Sequence, residues 1–418
     1  MEPAAPIERT LEALDATTVR LAGVRAAGEV IPSVGPRRFL HSGPPLDLDE
    51  VPDPMRGAIM AGLVLEEQAK SVADAATIVE SGEVGLVPCH DAGAVGAMAG
   101  IVTPRMPLVV AESEDGSRRA FAPLNEGLGQ ALRFGSYDDA TLDRMRWMST
   151  TAGPVLDAAI RELGGIDLTE LIAEGLRRGD ECHNRNVATT ANLVAMLAPA
   201  AIRVASRDSA ATVLAYAAQN RHFALSFSIS AAKVLADAAS HVPGSPIVTA
   251  IAGNGVQVGI RASGTGDRWF TAPAPIGEAR LFEGFDRADG QPLMGDSMIT
   301  ETAGFGCFAL TAAPAIVSFV GGTVAEAAAL VEEMRTICAG TSTRFTIPPA
   351  EFAGTPLGID VHRVAQSRTA PVVDNGISHR KAGIGQVGAG LTRLPLEPFL
   401  AASDELRGSP RHAEVTAG

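Results

Sequence analysis

The longest uncharged stretch of the chain predicts an interior element against which the rest packs. No charged residue occurs between Glu301 and Glu326, and small apolar residues dominate. Glycines and Pro314 interrupt the stretch and no basic residue flanks it, which argues against a membrane span. We therefore expect segment 295–322 to form a buried helix of small residues at the centre of a soluble protein.

Polar side chains crowd the start of this stretch, at Asp296, Ser297, Thr300, Glu301 and Thr302. Burying such groups costs free energy unless they cap a helix, pair with each other or meet a ligand. A helix cap would explain either Asp296 or Ser297 alone. The whole group of polar side chains is more typical of the wall of a functional site.

Residues 1–150 alternate short apolar runs with turns and predict an α/β domain. Strands are expected at Val84–Val87 and Leu108–Ala111, and the first leads directly into Cys89-His90-Asp91. Loops that follow strands often carry the reactive groups of α/β proteins. His90 is thus a candidate substrate-binding residue, with a backbone-satisfied loop histidine as the alternative.

Residues 151–242 have a helical period and predict a small helical domain. Pro154 fits a first helical turn, and Gly164-Gly165 would end that helix. Asp167 is expected to cap the next helix, with Glu170 at capping-box spacing. Further helices are predicted over the ranges Ala188–Leu197 (ending before Pro199), Ala210–Ala217 and Ile229–Ala239.

Residues 243–418 return to a strand-like pattern and predict a C-terminal α+β domain. Two apolar runs flank Gly253-Asn254-Gly255, which indicates a β-hairpin with Asn254 in its turn. The predicted fold class is therefore α+β and multi-domain: an N-terminal α/β domain, a small helical domain and a C-terminal α+β domain around the buried helix. Further strands are expected near Phe345, Leu357 and Val372.

The charge balance restricts the partners. With a net charge of −14 and a pI of about 5.1, nucleic acid and anionic membranes are disfavoured. A small anionic substrate fits only if basic side chains are gathered locally. The four cysteines lie far apart, and the N-terminal residues do not resemble a signal peptide, so we expect reduced thiols in a cytoplasmic protein.

Segment 179–186, Gly-Asp-Glu-Cys-His-Asn-Arg-Asn, has the densest set of functional side chains. Amides at the start of the following helix, together with Asn184 and Arg185, would bind an anion. His183 beside Glu181 offers acid–base chemistry. A polar turn with asparagine caps is the alternative. Adjacent residues seldom ligate one ion and no HExxH or CxxC spacing occurs, so no metal is expected.

The segment 383–388 matches GxGxxG, but its surroundings do not suit a dinucleotide site. Polar residues precede it and no helical pattern follows, so no cofactor is expected. Its amides could instead cradle an anion beside His379 and Arg380. Arg268, next to Trp269, is another candidate clamp, with a structural Arg–Asp or Arg–Trp stack as the alternative.

Six motifs lie at residues 89–100, 179–186, 266–270, 295–302, 354–360 and 383–390. Together they resemble the YlbE/YahG-like family of bacterial proteins, and the likeness runs from about Phe39 to Leu394. One branch of that family, AllG, is linked to the oxamate carbamoyltransferase of allantoin breakdown, which acts with FdrA-like and AllH-type subunits. The resemblance implies a multi-domain α+β fold with a small helical domain.

The function predicted from this resemblance is carbamoyl transfer between phosphate and a small amide or amino acid such as oxamate, by an enzyme or its catalytic subunit. Such a reaction needs anion clamps, carbonyl donors and a proton acceptor. Alternatives are a C–N bond hydrolase or lyase acting on a ureido acid, and a non-catalytic metabolite-binding subunit. We expect a homo-oligomer that has a small anionic substrate. The predicted anion clamps are Arg185, Arg268 and Arg380, and the predicted carbonyl donors are Asn184, Thr302 and Asn375. The proton shuttle would be His183 or His379. Asp296 and Glu301 would orient these groups, facing Arg185 and His183 across one cleft.

Overall fold

The computed structural model describes residues 5–408, apart from the side chains of residues 278 and 279. Helices and strands occur throughout this part of the chain. The helices are α1 Pro6–Ala16, α2 Ala27–Val30, α3 Asp53–Leu65, α4 Val72–Glu80, α5 Asp139–Trp147, α6 Gly153–Glu162, α7 Leu168–Arg177, α8 Val187–Val204, α9 Arg207–Gln219, α10 Leu225–Ala238, α11 Ile299–Thr302, α12 Val317–Val320, α13 Val324–Thr336, α14 Val361–Ser367 and α15 Glu397–Gly408. The strands are β1 Val19–Ala26, β2 Arg38–His41, β3 Gly85–Pro88, β4 Pro107–Ser113, β5 Arg119–Pro123, β6 Ile166–Asp167, β7 Val248–Asn254, β8 Gln257–Ala262, β9 Phe270–Pro273, β10 Glu278–Leu281, β11 Met294–Gly295, β12 Cys338–Ile347, β13 Ala353–Ile359, β14 Val372–Ser378 and β15 Gln386–Arg393.

The strands form small sheets with mostly antiparallel pairing. One four-stranded sheet has the order β5-β4-β1-β6, and a second has the order β11-β7-β8-β9. The strands β10, β15 and β14 form a third sheet, β12 pairs with β13, and β2 pairs with β3 in parallel. The strands predicted at 84–87 and 108–111 correspond to β3 and β4. The α+β fold class is confirmed.

Helix ends follow their local signals in most places. α6 ends at Glu162 and is followed by Gly164 with a φ of +72°, and the Asp167 side chain caps α7 by accepting from the Glu170 amide at 3.0 Å. The predicted end of α8 before Pro199 is wrong, because the helix continues to Val204. A proline removes only one amide donor, and the turn beyond it buries Ala200 and Ala201.

The predicted hairpin is confirmed in β7 and β8. Asn254 closes the turn, since its Oδ1 accepts from the amides of Val256 at 3.0 Å and Gln257 at 2.7 Å. Gly255 takes the left-handed conformation that this turn requires, with a φ of +86°. β11 then pairs with β7 and brings the central apolar segment alongside this hairpin.

The central segment is buried, as predicted, but it is not one helix. Residues 293–310 are all buried, yet they pass through α11, a 3₁₀ helix over Gly306–Ala312, and further short turns. Gly304 and Gly306 adopt φ values of +86° and +63°. Left-handed residues end a right-handed helix, so the glycines that allow close packing also divide the segment.

The largest apolar core contains side chains from all three predicted segments, including Leu21, Phe227 and Phe305. A second core lies among the C-terminal elements and includes Phe308 and Phe399. The boundaries at residues 150 and 242 remain a prediction.

Within the described residues, α8 is the single unbroken helix long and apolar enough to cross a membrane, with a mean hydropathy of 1.5. A second candidate arises only if two helical pieces bent by 99°, Pro314–Val320 and Val324–Thr336, are counted as one span. Core helices of soluble proteins can have the same length and hydropathy.

Candidate functional site

Four ionisable side chains meet in the interior and form what we call the histidine–carboxylate cluster: Glu181, His183, Glu301 and Asp374. Each is at most 2% exposed. His183 Nδ1 lies 2.5 Å from Asp374 Oδ1 and 3.2 Å from Glu301 Oε1. The cluster joins three distant segments, since Glu181 and His183 precede α8, Glu301 lies on α11 and Asp374 on β14. Of the four residues predicted to share one site, Arg185, His183, Asp296 and Glu301, the structure brings His183 and Glu301 together here.

Burial dominates the electrostatics of this cluster. It raises the pKa of Glu301 to about 7, and it raises the pKa of Glu181 well above the usual range, with further help from Asp374. For His183, burial disfavours the charged ring, but Asp374 and Glu301 outweigh this and raise the pKa of His183 well above its ordinary value. The arrangement favours a positive charge among the carboxylates.

The helix N-terminus predicted to bind an external anion is already occupied by Asp180. Its carboxylate accepts from the amides of Val187 at 3.0 Å and Thr189 at 2.7 Å, and from Thr189 Oγ1 at 2.9 Å. Glu181 similarly accepts from the amides of His183 and Arg185. The chain thus supplies its own anions at the start of α8, and the loop closes on itself.

The other predicted residues near this loop mostly serve local structure. Arg185 Nε donates to the Gly179 carbonyl at 2.9 Å and lies 3.6 Å from Asp180, so the guanidinium does not face Glu301 as expected. Thr302 Oγ1 donates to the Ile299 carbonyl at 2.7 Å. Asn184 is buried, and its Nδ2 has no hydrogen-bond partner among residues 5–408.

A second site, here called the basic pocket, opens beside β8, β7, α10 and β5 and has a volume of about 340 Å³. Lys233, Arg261 and His90 are buried in it, while Arg118 and Arg119 lie at its exposed rim. Such a gathering of basic side chains is notable in a chain with a net charge of −14. Its other lining residues include Asp237, His241, Thr249 and Asp267.

Arg261 and Lys233 are held by neighbouring side chains. The Arg261 guanidinium stacks 4.4 Å from the Trp269 ring and pairs with Asp91. Lys233 Nζ lies 2.5 Å from Asp237 Oδ1, one helical turn further along α10. Arg261 Nε and Trp269 Nε1 are buried and lack an acceptor within the described part of the chain. Two buried donors thus remain unsatisfied beside a basic pocket.

His90 lines the same pocket. Burial, followed by Lys233 and Arg261, holds the pKa of His90 well below its ordinary value, so the imidazole is neutral. Neither ring nitrogen has a hydrogen bond within residues 5–408, and the ring stands edge-on to Trp269 at 5.4 Å. A neutral imidazole presents one donor and one acceptor to a ligand.

Asp296 supports the pocket from behind rather than joining the histidine–carboxylate cluster. Its carboxylate accepts from the amides of Gly43 at 2.7 Å and Gly96 at 2.9 Å and lies 3.8 Å from His90 Nε2. Burial raises the pKa of Asp296 to about 7 despite these amides and nearby Lys233. Asp296 therefore positions the loop that carries His90.

The remaining predicted site residues lie elsewhere. Arg268 is exposed, pairs with Glu405 and stacks 5.1 Å from Phe270. Amides of the glycine loop donate to the chain's own carbonyls, Gly383 to Gly135 and Gln386 to Gly129, so they do not form an open cradle. His379 lies 3.4 Å from Asp289, Arg380 is exposed, and Asn375 Oδ1 accepts from Thr392 Oγ1 at 2.9 Å.

Sequence reasoning missed three buried ionisable residues at the two sites, Lys233, Arg261 and Asp374, and the exposed rim arginines Arg118 and Arg119. A signal existed for Lys233, which is the sole charged residue between Leu225 and Ala236 on an otherwise apolar helix. Arg261 and Asp374 lie in strands whose pattern resembles that of an ordinary half-buried sheet. Their importance depends on partners far away in the sequence.

Comparison with known proteins agrees with this architecture. The family described as oxamate carbamoyltransferase subunit AllG matches residues 84–297. The oxamate carbamoyltransferase subunit AllG of Escherichia coli (strain K12) is 42% identical over 376 residues, which cover 89% of this chain and 90% of that protein. The uncharacterized protein YahG of the same strain is 37% identical over 397 residues, covering 95% and 84%.

A crystal structure of a conserved protein of unknown function from Enterococcus faecalis V583 superposes with a TM-score of 0.93 and 40% identity, covering 96% of each chain. Fold and sequence agree over nearly the whole chain. The chain therefore belongs to the AllG/YahG-like family.

Proposed function

We propose that this protein is a carbamoyltransferase subunit that binds a small anionic substrate in the basic pocket. The observation that carries the proposal is the gathering of Lys233, Arg261 and His90 in the lining of this pocket, where Arg261 Nε and both His90 ring nitrogens are buried without a hydrogen-bond partner among residues 5–408. Unpaired buried donors cost free energy unless a ligand accepts from them. The 42% identity to a subunit named for oxamate carbamoyl transfer supplies the reaction class.

The transfer requires few catalytic parts. The nitrogen of a small amide or amine attacks the carbonyl carbon of carbamoyl phosphate, a C–N bond forms, the C–O bond to phosphate breaks, and the nitrogen loses a proton. Anion clamps and donors to the developing oxyanion supply most of the required stabilisation.

The residues of the basic pocket match these parts. Lys233 and Arg261 would hold phosphate or the acid's carboxylate, and His90 would accept the proton or hydrogen-bond to the carbamoyl group. Arg118 and Arg119 at the rim would attract the anion into the pocket. The pocket's volume suits a metabolite of the size of oxamate or carbamoyl phosphate.

The name of this relative supports a subunit role, and the finer assignments extend the family resemblance. We propose that the chain works in the cytoplasm as a homo-oligomer together with FdrA-like and AllH-type subunits, and that oxamate is the acceptor. Transfer by the purified chain alone, compared with transfer by the reconstituted set, would distinguish a catalytic subunit from one that only binds the metabolite.

The test uses labelled carbamoyl phosphate with oxamate as acceptor. Arg261→Lys keeps a charge but loses the planar fork, and we expect a fall in kcat/KM on the order of 100-fold with the fold intact. The matched control is Arg268→Lys, a guanidinium that also contacts an aromatic ring and a carboxylate, but at the surface. It should retain nearly full activity.

Ligand binding provides a second test of the pocket, and this test does not need the complete complex. Carbamoyl phosphate or inorganic phosphate should raise the melting temperature of the unaltered chain, and Lys233→Met should abolish that shift. Equal losses in the Arg261 and Arg268 variants, or phosphate shifts that survive in Lys233→Met, would contradict the location of the site.

A further inference from the structure

The donor atoms of the histidine–carboxylate cluster converge in the way that metal ligands do. One ring nitrogen of His183, one carboxylate oxygen of Glu301 and one of Asp374 all lie within 4.8 Å of one another. His183 Nδ1 lies 3.2 Å from Glu301 Oε1 and 2.5 Å from Asp374 Oδ1. Ligand bonds of about 2.0–2.2 Å place neighbouring donors of a tetrahedral ion about 3.4 Å apart. The three atoms can therefore contact one ion after small shifts.

Asp374 provides an independent observation. Its side chain is fully buried, and neither of its carboxylate oxygens accepts a hydrogen bond from any residue in the range 5–408. His183 Nδ1 lies 2.5 Å from Asp374 Oδ1, but the hydrogen bond of this nitrogen goes to Glu301 Oε1 at 3.2 Å. A buried carboxylate without donors is costly, and a bound cation is a common way to compensate it.

The other carboxylates are arranged differently. Glu301 Oε1 accepts from the amides of Cys307 at 3.1 Å and Asp374 at 3.3 Å, and Thr300 Oγ1 donates to Glu301 Oε2 at 2.8 Å. Glu181 is held by two amides of its own loop. These bonds fix the orientation of the carboxylates, as hydrogen bonds behind a metal site do. Only Asp374 is left without such support.

Charge also favours a cation. Three carboxylates surround one imidazole, and the single Nδ1 site of His183 faces two of them at once. At Nδ1, a protonated ring could donate its single N–H to only one of these two oxygens. A divalent ion bound by a neutral ring would satisfy both carboxylates and the nitrogen together.

We propose that His183, Glu301 and Asp374 bind a divalent transition-metal ion that joins the loop before α8, α11 and β14. One nitrogen and two carboxylate oxygens suit Zn²⁺ or Mn²⁺ better than Ca²⁺ or Mg²⁺, which prefer oxygen ligands alone. The site is enclosed by protein, so the ion acts as a structural brace. The sequence did not predict it, because the three ligands come from segments separated by more than 70 residues.

The first experiment measures metal content. The full chain is purified, dialysed without chelator, supplied with Zn²⁺ or Mn²⁺, freed of excess metal and analysed by elemental mass spectrometry. We expect about one ion per chain in the unaltered protein and loss of that ion in Asp374→Asn. The matched control is Glu126→Gln, another buried glutamate whose carboxylate accepts from the amides of Leu132 and Arg133. It should keep the ion.

The second experiment measures stability and remains informative if a variant folds poorly. Zn²⁺ at 100 times its dissociation constant should raise the melting temperature of the unaltered chain by roughly 3 °C, and a chelator should reverse the rise. Asp374→Asn should show no such response and should bind the ion more than about 100-fold more weakly.

Three results would overturn the proposed metal site. If the unaltered chain binds neither ion and its melting temperature does not respond, or if Asp374→Asn keeps a full equivalent of metal, the proposal is overturned. In a chain without metal, Asp374→Asn would instead relieve the repulsion among the carboxylates and raise the melting temperature, which would also refute it. None of these readouts depends on carbamoyl transfer, so they test the metal site separately from the proposed function.

Discussion

Replacing Asp296 with asparagine should change how the stability of this protein depends on pH. The Asp296 carboxylate is fully buried between the amides of Gly43 and Gly96, close to His90 and Cys89, with Lys233 nearby. Burial raises the pKa of Asp296 from 3.8 to about 7. Asparagine has nearly the same shape but does not titrate, so the comparison isolates the proton.

The direction in which folding stability changes with pH follows from proton linkage. Between pH 4 and 7 the folded chain holds a proton on Asp296 that the unfolded chain has released, so folding stability is greatest at low pH and falls as pH rises through this window. A shift of about three units corresponds to roughly 4 kcal/mol, at about 1.4 kcal/mol per unit. The unaltered protein should lose this amount, relative to Asp296→Asn, between pH 4 and pH 8.

The assay is urea unfolding of both proteins from pH 4.5 to 8.5. At pH 4.5 the variant should be the less stable by about 1–3 kcal/mol, because one of the two amide contacts is lost. At pH 8.5 that deficit should vanish or reverse. The matched control is Asp167→Asn, an exposed aspartate that also accepts from a backbone amide. Its stability difference should not follow this trend. A pH-independent difference for Asp296→Asn would refute the reasoning.

Two further predictions concern backbone conformation and helix capping. Gly306→Ala would place a Cβ 2.7 Å from Thr300 Oγ1 and 2.8 Å from Glu301 Oε1 at a φ of +63°, whereas Gly321→Ala, at a φ of +91°, meets nothing within 4 Å. Chemical unfolding should therefore show that Gly321→Ala lowers the free energy of unfolding by about 1–2 kcal/mol and that Gly306→Ala lowers it clearly more. Equal losses would mean that the side chains of Thr300 and Glu301 move away from the new Cβ at no cost. Asp180→Asn should destabilise the chain by about 1–3 kcal/mol, because it leaves an amide of α8 without its acceptor; an unchanged unfolding midpoint would show that the cap is dispensable.

The elements that the sequence predicted well are those with local causes. The β7–β8 turn depends on Asn254 and Gly255, and the start of α7 on Asp167, each acting on amides within three residues. Local hydrogen bonds of this kind can be recognised in a short window. The end of α8 was missed because the packing of Ala200 and Ala201 outweighs the local effect of Pro199.

The candidate sites were harder to predict because their chemistry is assembled over long distances. Arg261 acquires its role from Asp91 and Trp269, and Lys233 from the pocket that β7 and β8 complete. Arg268, which looks equivalent in the sequence, points to the surface beside Glu405. A single sequence reveals which side chains are capable of binding an anion. Which of them are buried together depends on sheet topology.

The polar residues at the start of the central segment illustrate this difference. The sequence indicated one wall formed by Asp296 and Glu301, but the structure assigns them to different sites. Positions five residues apart are turned about 140° from each other around an α-helix. The chain between them folds as a single tight turn, in which the Ile299 amide donates to the Asp296 carbonyl at 2.9 Å. Asp296 consequently lies against His90 and the basic pocket, whereas Glu301 joins His183 and the histidine–carboxylate cluster, so one short buried turn holds both sites in place.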